Sequence, residues 1–253
     1  MKEARKLGRR SVRTERRLFL ADGPKAVEAA LEVPDRVVEV FATPDAAERY
    51  AALAATGPAW TPVDQRALAS LSDSVTPAGV VAVCRHLDVA LAGLVEPPAA
   101  PHLLALCADV RDPGNAGTVI RCADAAGADG VVLTGHSVDA YNPKTVRASV
   151  GSLFHLPIAV EQDPALAVRA AQRAGLQVLA ADGKGEVDLD HADGLLARPT
   201  AWLFGNEAWG LPDDLAALAD HRVRIPIYGR AESLNLATAA ALCLYATARS
   251  RPR

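Results

Sequence analysis

Three glycine-containing loops hold the side chains best suited to chemistry in this 253-residue chain. Residues 109–115 lead into a predicted helix that carries Arg121, residues 204–211 follow a predicted strand, and residues 225–235 open the last predicted helix. Glycine lets the backbone approach a ligand closely, while amide, carboxylate and guanidinium groups form directional hydrogen bonds. Ligands in open α/β sheets bind beyond the carboxyl ends of the strands, so we expect these loops to converge on one ligand site.

The common nucleotide-binding and hydrolase motifs are absent from the sequence. It contains no Gly-x-x-x-x-Gly-Lys-Ser/Thr phosphate loop, no Gly-x-Gly-x-x-Gly after the first strand of either half, no His-Glu-x-x-His and no Gly-x-Ser-x-Gly. These absences disfavour ATP hydrolysis, ordinary dinucleotide chemistry and serine esterase chemistry.

The three loops resemble, in the same order, the three motifs of the SpoU (TrmH-type) branch of the SPOUT superfamily. Residues 112–121 (DPGNAGTVIR) match the first motif, Asn-x-Gly-x-x-x-Arg, residues 203–211 (LFGNEAWGL) the second, and residues 225–237 (IPIYGRAESLNLA) the third. Residues 144–152 resemble a further stretch of the family. The resemblance covers about residues 101–253, and three motifs in order are more specific than any one alone.

The resemblance implies an enzyme that methylates a ribose 2′-hydroxyl of structured RNA with S-adenosylmethionine and without a metal ion. It also implies a homodimer whose two subunits complete the active site, and a deep trefoil knot whose loops bind the methyl donor. Ribosomal RNA is favoured over transfer RNA, because related transfer-RNA enzymes often lack an appended N-terminal domain.

Residues that match the family motifs are the expected site. The catalytic set is Arg121, Asn115, Glu207, Ser233 and Asn235. The expected cofactor-binding residues are Phe204, Gly205, Asn206, Gly210, Ile225, Pro226, Ile227, Ser233, Leu234 and Asn235. Eight basic residues are expected to contact RNA: Arg9, Arg10, Arg13, Arg17, Lys25, Arg111, Lys144 and Arg147.

By the family pattern, Arg121 lies nearest the acceptor ribose and its phosphate. A guanidinium group stays protonated in proteins, so we expect it to clamp phosphate and to stabilise developing alkoxide charge. The alternative is an ordinary helix arginine paired with Asp124 at i+3. Asn115 would orient Arg121 or the acceptor, or would cap its helix, and one side chain can do both.

The other loop residues also have structural alternatives. Glu207 would support the site by the family pattern, or would be an exposed loop acid. Ser233 fits an N-cap, whereas Asn235 would fall in the first turn and point at the cofactor or at Arg121. Trp209 would stack on a base or on adenine, or would fill a core or a subunit interface.

Composition places the chain among globular α/β proteins. Half of its residues are apolar, 23% are charged and 4% are aromatic, which is enough apolar mass for a sizeable core. It has no run of 18 apolar residues and no signal-peptide pattern. The four cysteines are widely spaced, so we expect buried, reduced thiols in a cytoplasmic protein and no metal site.

The charge of the chain is unevenly distributed. Residues 1–17 contain eight Lys/Arg and two Asp/Glu, a net charge of +6, whereas the rest of the chain carries −9. A basic arm on an acidic body is a candidate contact to the RNA phosphate backbone. The alternative is a solvated, frayed terminus without a target.

Prolines at 97, 98 and 101 predict a linker, which divides the chain into residues 1–94, a linker 95–101, and residues 102–253. Both parts alternate strands and helices, which predicts a small α/β domain followed by a parallel sheet covered on both faces. Strands are expected at 18–20, 37–42, 79–84, 103–108, 130–133, 176–180, 200–204 and 223–227, and helices at 24–31, 45–55, 116–126, 143–150, 163–174 and 234–249. The opening of the first part, residues 19–27, resembles the RNA-substrate-binding domain that precedes the catalytic domain in several family members.

Other functions remain open at this stage. The chain can be a transfer-RNA 2′-O-methyltransferase, or a non-catalytic RNA-binding protein that retains the fold. The intact motif residues argue against the non-catalytic alternative. A small-molecule α/β enzyme is a further alternative, which the basic arm and the first domain disfavour.

Overall fold

The computed structural model describes residues 1–96 and 100–251, which form two compact units. The first unit comprises Met1–Leu87 and Asp139–His155, and the second comprises Asp88–Val138 and Leu156–Arg253. Within the described residues, no helix is long and apolar enough to cross a membrane. Residues 97–99 of the predicted linker lie outside the described residues, and its first residue, Val95, ends a short helix.

The chain alternates short helices and strands throughout. The helices are α1 Lys2–Arg5, α2 Arg10–Arg16, α3 Pro24–Glu32, α4 Pro44–Arg49, α5 Ala51–Ala54, α6 Gln65–Ala69, α7 Leu91–Val95, α8 Pro113–Ala125, α9 Pro143–Ser149, α10 Pro164–Arg173, α11 Asp193–Leu196, α12 Asp213–Ala216 and α13 Leu236–Ser250. The strands are β1 Leu18–Asp22, β2 Val37–Ala42, β3 Trp60–Pro62, β4 Val80–Arg85, β5 Leu103–Ala108, β6 Gly130–Thr134, β7 Ile158–Glu161, β8 Gln177–Ala181, β9 Val187–Asp188, β10 Thr200–Phe204 and β11 His221–Arg224. Single 3-10 turns occur at Lys6–Gly8, Ser152–Phe154 and Leu189–His191.

The first unit is built on a four-stranded mixed sheet in the order β1-β4-β2-β3. Strand β4 pairs antiparallel with both β1 and β2, whereas β2 and β3 are parallel. Five of the six residues of β4 are buried, as expected for an apolar strand in the middle of a sheet. The predicted small α/β domain is therefore present, with helices added to a sheet of its own.

The first unit also includes residues 139–155, which the predicted division assigned to the second part of the chain. Helix α9 lies in this segment and packs on β1. The ring of Phe19 packs at 4.6 Å from that of Tyr141 and at 5.8 Å from that of Phe154. The Arg13 guanidinium donates to Asp139 at 2.7 and 3.0 Å, and its side chain is buried. The predicted domain boundaries at 94 and 102 stay a prediction, because the two compact units of the structure do not coincide with the two predicted domains.

The basic arm is helical and packed, so the frayed-terminus alternative is wrong. Ala4 and Leu7 are buried in a hydrophobic cluster with residues of β1, β2 and β4. Arg13 also donates to the carbonyl oxygens of Leu7 and Gly8, which ties α2 to the turn before it. Hydrogen bonds from Lys6 and Arg16 lower the pKa of Glu3 to about 2.

The second unit contains the predicted parallel sheet. Its seven strands lie in the order β7-β6-β5-β10-β8-β11-β9, and every pairing is parallel. All residues of the two central strands β5 and β10 are buried, which explains their continuous apolar sequences. Strand β10 lies between β5 and β8 although it follows both in sequence.

Helices cover both faces of this sheet. Successive side chains of a strand point to opposite faces, and Leu203 of β10 packs in one cluster with residues of α7 and α10. The preceding side chain, Trp202, points to the other face and donates a hydrogen bond from Nε1 to Oγ1 of Thr247 at 2.8 Å. Thr247 belongs to α13, which also packs on α8. The second unit is thus a three-layer α/β domain.

Several predicted element boundaries shift for local reasons. The last helix begins at Leu236 instead of 234, because the Asn235 side chain accepts from the backbone amides of Ala237 and Thr238. Helix α8 begins at Pro113 instead of 116, because Asp112 is its N-cap. The predicted helix 45–55 is divided at Tyr50, whose backbone leaves the helical region. Strand β7 was not predicted.

The predicted buried thiols are confirmed for three of the four cysteines. Cys84, Cys107 and Cys243 are buried, Cys122 is half-buried, and all four are free. Burial raises the pKa of Cys107 to about 12, and the charge of Glu207 contributes. Burial likewise raises the pKa of Cys84 and Cys243, so these thiols stay protonated.

We predict that the Arg13–Asp139 ion pair stabilises the first unit. Removing one member leaves the other charge buried without its partner, so Arg13→Ala and Asp139→Ala should each lower the free energy of unfolding by about 3 kcal/mol. The double variant should lose much less than the sum, because both changes remove the same interaction. Urea unfolding measures all three, with Lys6→Ala, which removes an exposed pair with Glu3, as the control. Additive losses would show that the pair is not coupled.

Candidate active site

The three predicted loops meet at the carboxyl ends of the strands of the seven-stranded sheet. Strands β5, β10, β8 and β11 are adjacent and parallel, so the segments that follow them lie side by side at their carboxyl ends. These segments include the start of α8, residues 205–211, residues 182–186 and residues 225–235. The order of strands in the sheet therefore brings together loops that are far apart in sequence.

Side-chain hydrogen bonds join one residue from each motif. Asn115 donates from Nδ2 to Oε1 of Glu207 at 3.2 Å. Asn235 donates from Nδ2 to Oδ1 of Asn115 at 3.0 Å. The three predicted catalytic residues thus form a continuous chain across the three loops, which confirms that they lie together in the fold.

The Glu207 carboxylate binds the first loop by more than one group. Besides Asn115, it accepts from the backbone amides of Arg111 and Asp112 at 3.2 and 3.1 Å. Three donors therefore fix both carboxylate oxygens. Glu207 is an exposed loop acid, as the alternative interpretation expected, and it also links two loops.

Both N-cap alternatives are corrected by the geometry. Asp112 caps α8, so the side chain of Asn115 is free to reach Glu207 and Asn235. Asn235, not Ser233, caps α13 with its Oδ1, while its Nδ2 faces Asn115. Ser233 lies before the helix and lines the cavity described below.

The second loop is held in a tight conformation. A Cβ atom on Gly205 would lie 2.4 Å from the carbonyl carbon of Gly210, so no side chain fits there. Asn206 is buried, donates from Nδ2 to the Asp109 carbonyl at 2.7 Å, and accepts from the Ala208 amide at 2.8 Å. Asn206 and Gly210 exchange both backbone hydrogen bonds. This loop is a rigid frame that carries Glu207.

A cavity of about 650 Å³ opens beside the second and third loops. This volume lies within the usual range for small-molecule sites. Its walls combine apolar and polar residues: Ala181, Asp182, Gly183, Gly205, Asn206, Glu207, Ala208, Gly210, Val223, Arg224, Ile225, Pro226, Ile227, Glu232, Ser233, Leu234, Leu236 and Ala239.

Eight of the ten predicted cofactor-binding residues line this cavity. Phe204 is not among them, because its side chain is fully buried in β10 and stacks on Trp202 with ring centroids 6.2 Å apart. Asn235 also lies outside the wall, and its side chain caps α13 and binds Asn115. Trp209 is 59% exposed, so the expectation that it fills a core is wrong.

The sequence interpretation missed the wall that follows β8. Asp182 and Gly183 line the cavity, together with Arg224 at the end of β11 and Glu232 in the third loop. The same rule that selected the other loops, ligand binding beyond strand ends, would have selected Asp182, since it follows the predicted strand 176–180.

Arg121 is exposed on α8. In residues 1–96 and 100–251 its guanidinium group forms no salt bridge or hydrogen bond, so the alternative pairing with Asp124 is not formed. An exposed guanidinium without a carboxylate partner can bind an external phosphate in bidentate fashion.

One predicted RNA contact is wrong. Arg13 is buried and uses its donors within the first unit, so it is not available to RNA. Arg147 is half-buried with Nη1 at 3.9 Å from Asp22. The other six predicted contacts are exposed: Arg9, Arg10, Arg17, Lys25, Arg111 and Lys144.

The described residues show no group of three His, Cys, Asp or Glu side chains that could hold a metal ion. The cavity walls instead suit an organic ligand, because apolar surface from Ile225, Pro226 and Leu234 lies beside carboxylate and amide groups.

Comparison with known proteins gives two matches along the chain. The model of the SpoU rRNA Methylase family matches residues 102–245, and that of the MRM3-like substrate binding domain matches residues 1–82. The first match alone covers more than half of the chain.

Relatives and solved structures agree with these matches. The chain is 34% identical over 248 residues to the 23S rRNA (guanosine(2553)-2′-O)-methyltransferase RlmP of Bacillus subtilis, covering 97% of this chain and 94% of the relative. The SpoU methyltransferase AviRb of Streptomyces viridochromogenes, crystallised with AdoMet, has a TM-score of 0.85 at 32% identity, covering 98% of this chain and 96% of that one. An AdoMet-bound rRNA methyltransferase from Sinorhizobium meliloti has a TM-score of 0.84 at 35% identity, covering 98% and 93%. The chain therefore belongs to the SpoU rRNA methylase family.

Proposed function

We propose that this protein transfers the methyl group of S-adenosylmethionine to a ribose 2′-hydroxyl of ribosomal RNA. The observation that carries the proposal is the chain of hydrogen bonds Glu207–Asn115–Asn235 at the rim of a ligand-sized cavity. The similarity to 23S rRNA 2′-O-methyltransferases over nearly the whole chain supports ribosomal RNA as the substrate.

The residues present fit the donor. Gly205, Ile225 and Leu234 offer backbone and apolar contacts for adenine and methionine, and the carboxylates in the wall suit a cationic ligand. Two solved relatives hold AdoMet in the same fold. When bound, the sulfonium supplies an electrophilic methyl group, so the remaining task of the protein is to place the ribose hydroxyl in line and to assist loss of its proton.

Arg121 is assigned to the acceptor. Its free guanidinium binds the phosphate beside the target ribose and stabilises negative charge that develops on the 2′-oxygen. Asn115, Glu207 and Asn235 act as positioning residues, because their polar atoms are used by one another and by backbone amides. They hold the start of α8 against the second and third loops.

Three further features of the family follow as proposals. We infer a homodimer, supported by Leu242 and Tyr245, which are exposed at i and i+3 on α13. We infer a trefoil knot in the second unit, supported by the insertion of β10 between β5 and β8 and by the packing of α13 on α8. We place the reaction in the cytoplasm, where free thiols such as the four found here persist.

The experiment that tests the function uses purified protein, total ribosomal RNA and S-adenosylmethionine labelled in the methyl group. Label should appear in RNA, and reverse transcription at low nucleotide concentration should map one blocked ribose. RNA binding without transfer of label would instead support a non-catalytic RNA-binding protein. Transfer to transfer RNA alone would contradict ribosomal RNA as the substrate.

We predict that Arg121→Ala lowers the rate of methyl transfer at least about 100-fold, the usual loss when one charge-stabilising donor is removed. Donor affinity, measured by calorimetry, should change little, because Arg121 does not line the cavity. Arg169→Ala, which removes an exposed arginine from α10, is the matched control and should retain full activity. Full activity of Arg121→Ala would refute its assignment.

We predict that Asn235 has two separable roles. Asn235→Ser keeps an oxygen that can cap α13 and adds no charge, but its side chain is too short to donate to Asn115, so its free energy of unfolding should stay within about 0.5 kcal/mol of wild type while donor affinity falls about fivefold. Asn235→Ala loses the cap as well and should lower the free energy of unfolding by about 1 kcal/mol. Urea unfolding and calorimetry with S-adenosylmethionine separate the two. Unchanged donor affinity in Asn235→Ser would show that the link does not shape the cavity.

We predict that the exposed part of the basic arm contacts RNA phosphates. Replacing Arg9 and Arg10 by Ala should weaken RNA binding and reduce the slope of log affinity against log salt by about one to two. Filter binding at several salt concentrations measures the slope. The control replaces Arg49 and Arg66, which are exposed in the same unit outside the arm. Identical slopes in the arm variant and wild type would remove the arm from the RNA interface.

A further inference from the structure

The cavity is lined by more acidic than basic side chains. The ionisable residues that line the cavity are Asp182, Glu207 and Glu232, with Arg224 as the one base among the described lining residues. A cleft lined by one sign of charge concentrates the electric field and favours a ligand of the opposite sign.

Arg224 does not neutralise the three acidic side chains, because it is bound to other groups. Arg224 donates from Nη2 to Asp188 and from Nη1 to the carbonyl of Gly185, both at 3.1 Å. Asp188 does not line the cavity, so the charge of Arg224 is balanced from outside it.

The three carboxylates differ in the groups that contact them. Among the described residues, Glu207 accepts hydrogen bonds from two backbone amides and from Asn115, which are neutral groups. Asp182 accepts from the Lys184 amide at 2.9 Å and lies 3.7 Å from Arg222, which is also shared with Asp213 at 3.8 Å. Glu232 forms no hydrogen bond or ion pair in the described part of the chain.

The donor and its product differ by one positive charge. S-adenosylmethionine carries a sulfonium, an ammonium and a carboxylate, a net charge of +1. After the methyl group has gone to the 2′-oxygen and the hydroxyl proton has left, S-adenosylhomocysteine has a neutral thioether and no net charge. Any uncompensated negative charge in the cavity therefore acts on the two ligands differently.

Resting on the proposed methyl transfer, we propose that Asp182 and Glu232 are specificity residues that make the cavity prefer the cationic donor to its uncharged product. They need not touch the sulfonium, because a charge acts over several ångströms in a partly screened site. The loss of charge on transfer then weakens binding of the product and favours its exchange for a new donor molecule.

The test measures dissociation constants by calorimetry on the full chain. Wild type, Asp182→Asn and Glu232→Gln are each titrated with S-adenosylmethionine and with S-adenosylhomocysteine at low and high salt. Both substitutions keep the shape and remove the charge. Glu161→Gln is the matched control, because Glu161 ends β7 at the far edge of the sheet and lies outside the cavity wall.

In each cavity variant, donor affinity should fall about fivefold, the scale of a partly screened charge pair, while product affinity stays unchanged. The ratio of the two constants should also approach one as salt is raised in wild type. The control should leave both constants unchanged.

Two results would overturn the proposal: equal losses of donor and product affinity, which indicate altered loop structure, or no change in either. These results are distinguishable from failure of the proposed function. If wild type binds neither ligand, methyl transfer itself is wrong, whereas wild-type binding with a ratio that no substitution moves refutes only the selectivity.

Discussion

The carboxylate of Glu207 is the interaction on which the arrangement of the site depends. It accepts hydrogen bonds from two backbone N–H groups and from the side chain of Asn115, all at the start of α8. The oxygen of the same Asn115 side chain accepts a hydrogen bond from Asn235 at the start of α13. Hydrogen bonds to an ionised acceptor are about twice as strong as neutral ones, so a charged group is the effective centre for joining three loops. Two further hydrogen bonds join the same loops without Glu207, from Asn206 to the Asp109 carbonyl and from Asn235 to Asn115.

This constraint explains the burial and glycine pattern around Glu207. A carboxylate can fix other loops only if its own loop is rigid, and here Gly205 allows the close approach to Gly210 that Asn206 then holds. A buried side-chain amide and an obligatory glycine therefore position one exposed carboxylate. The loops are held rigidly where they join one another, and the cavity beside them is open to a ligand.

The sequence predicts most of the second unit and the identity of the linked loops, for a physical reason. Strands such as β5 and β10 are buried on both faces, so their continuous apolar runs are visible without any tertiary information. Helix starts were less accurate, although the pair Asp112–Pro113 is a typical N-cap followed by proline at N1. If Asn115 were the N-cap of α8, its side chain would bind its own helix. Because Asp112 is the N-cap, the Asn115 side chain binds another loop.

Features that depend on distant parts of the chain could not be predicted. The burial of Arg13 requires Asp139, which is 126 residues away and falls in a segment that the prediction gave to the other domain. The wall at Asp182 requires knowing that β8 lies between β10 and β11. Periodicity reports which face of an element is buried, but not which element buries it.

The uneven charge of the sequence gains a physical interpretation from these positions. A methyltransferase acting on RNA has to bind a polyanion and a cation at once, and one uniform potential would favour only one of them. Exposed arginines on α2 and α8 provide positive charge, while Asp182 follows β8, Asp188 lies on β9 and Glu232 lies in the third loop. A cationic donor and an anionic RNA each need charge of the opposite sign at their own contacts. The net charge of −3 is therefore the sum of two opposed requirements.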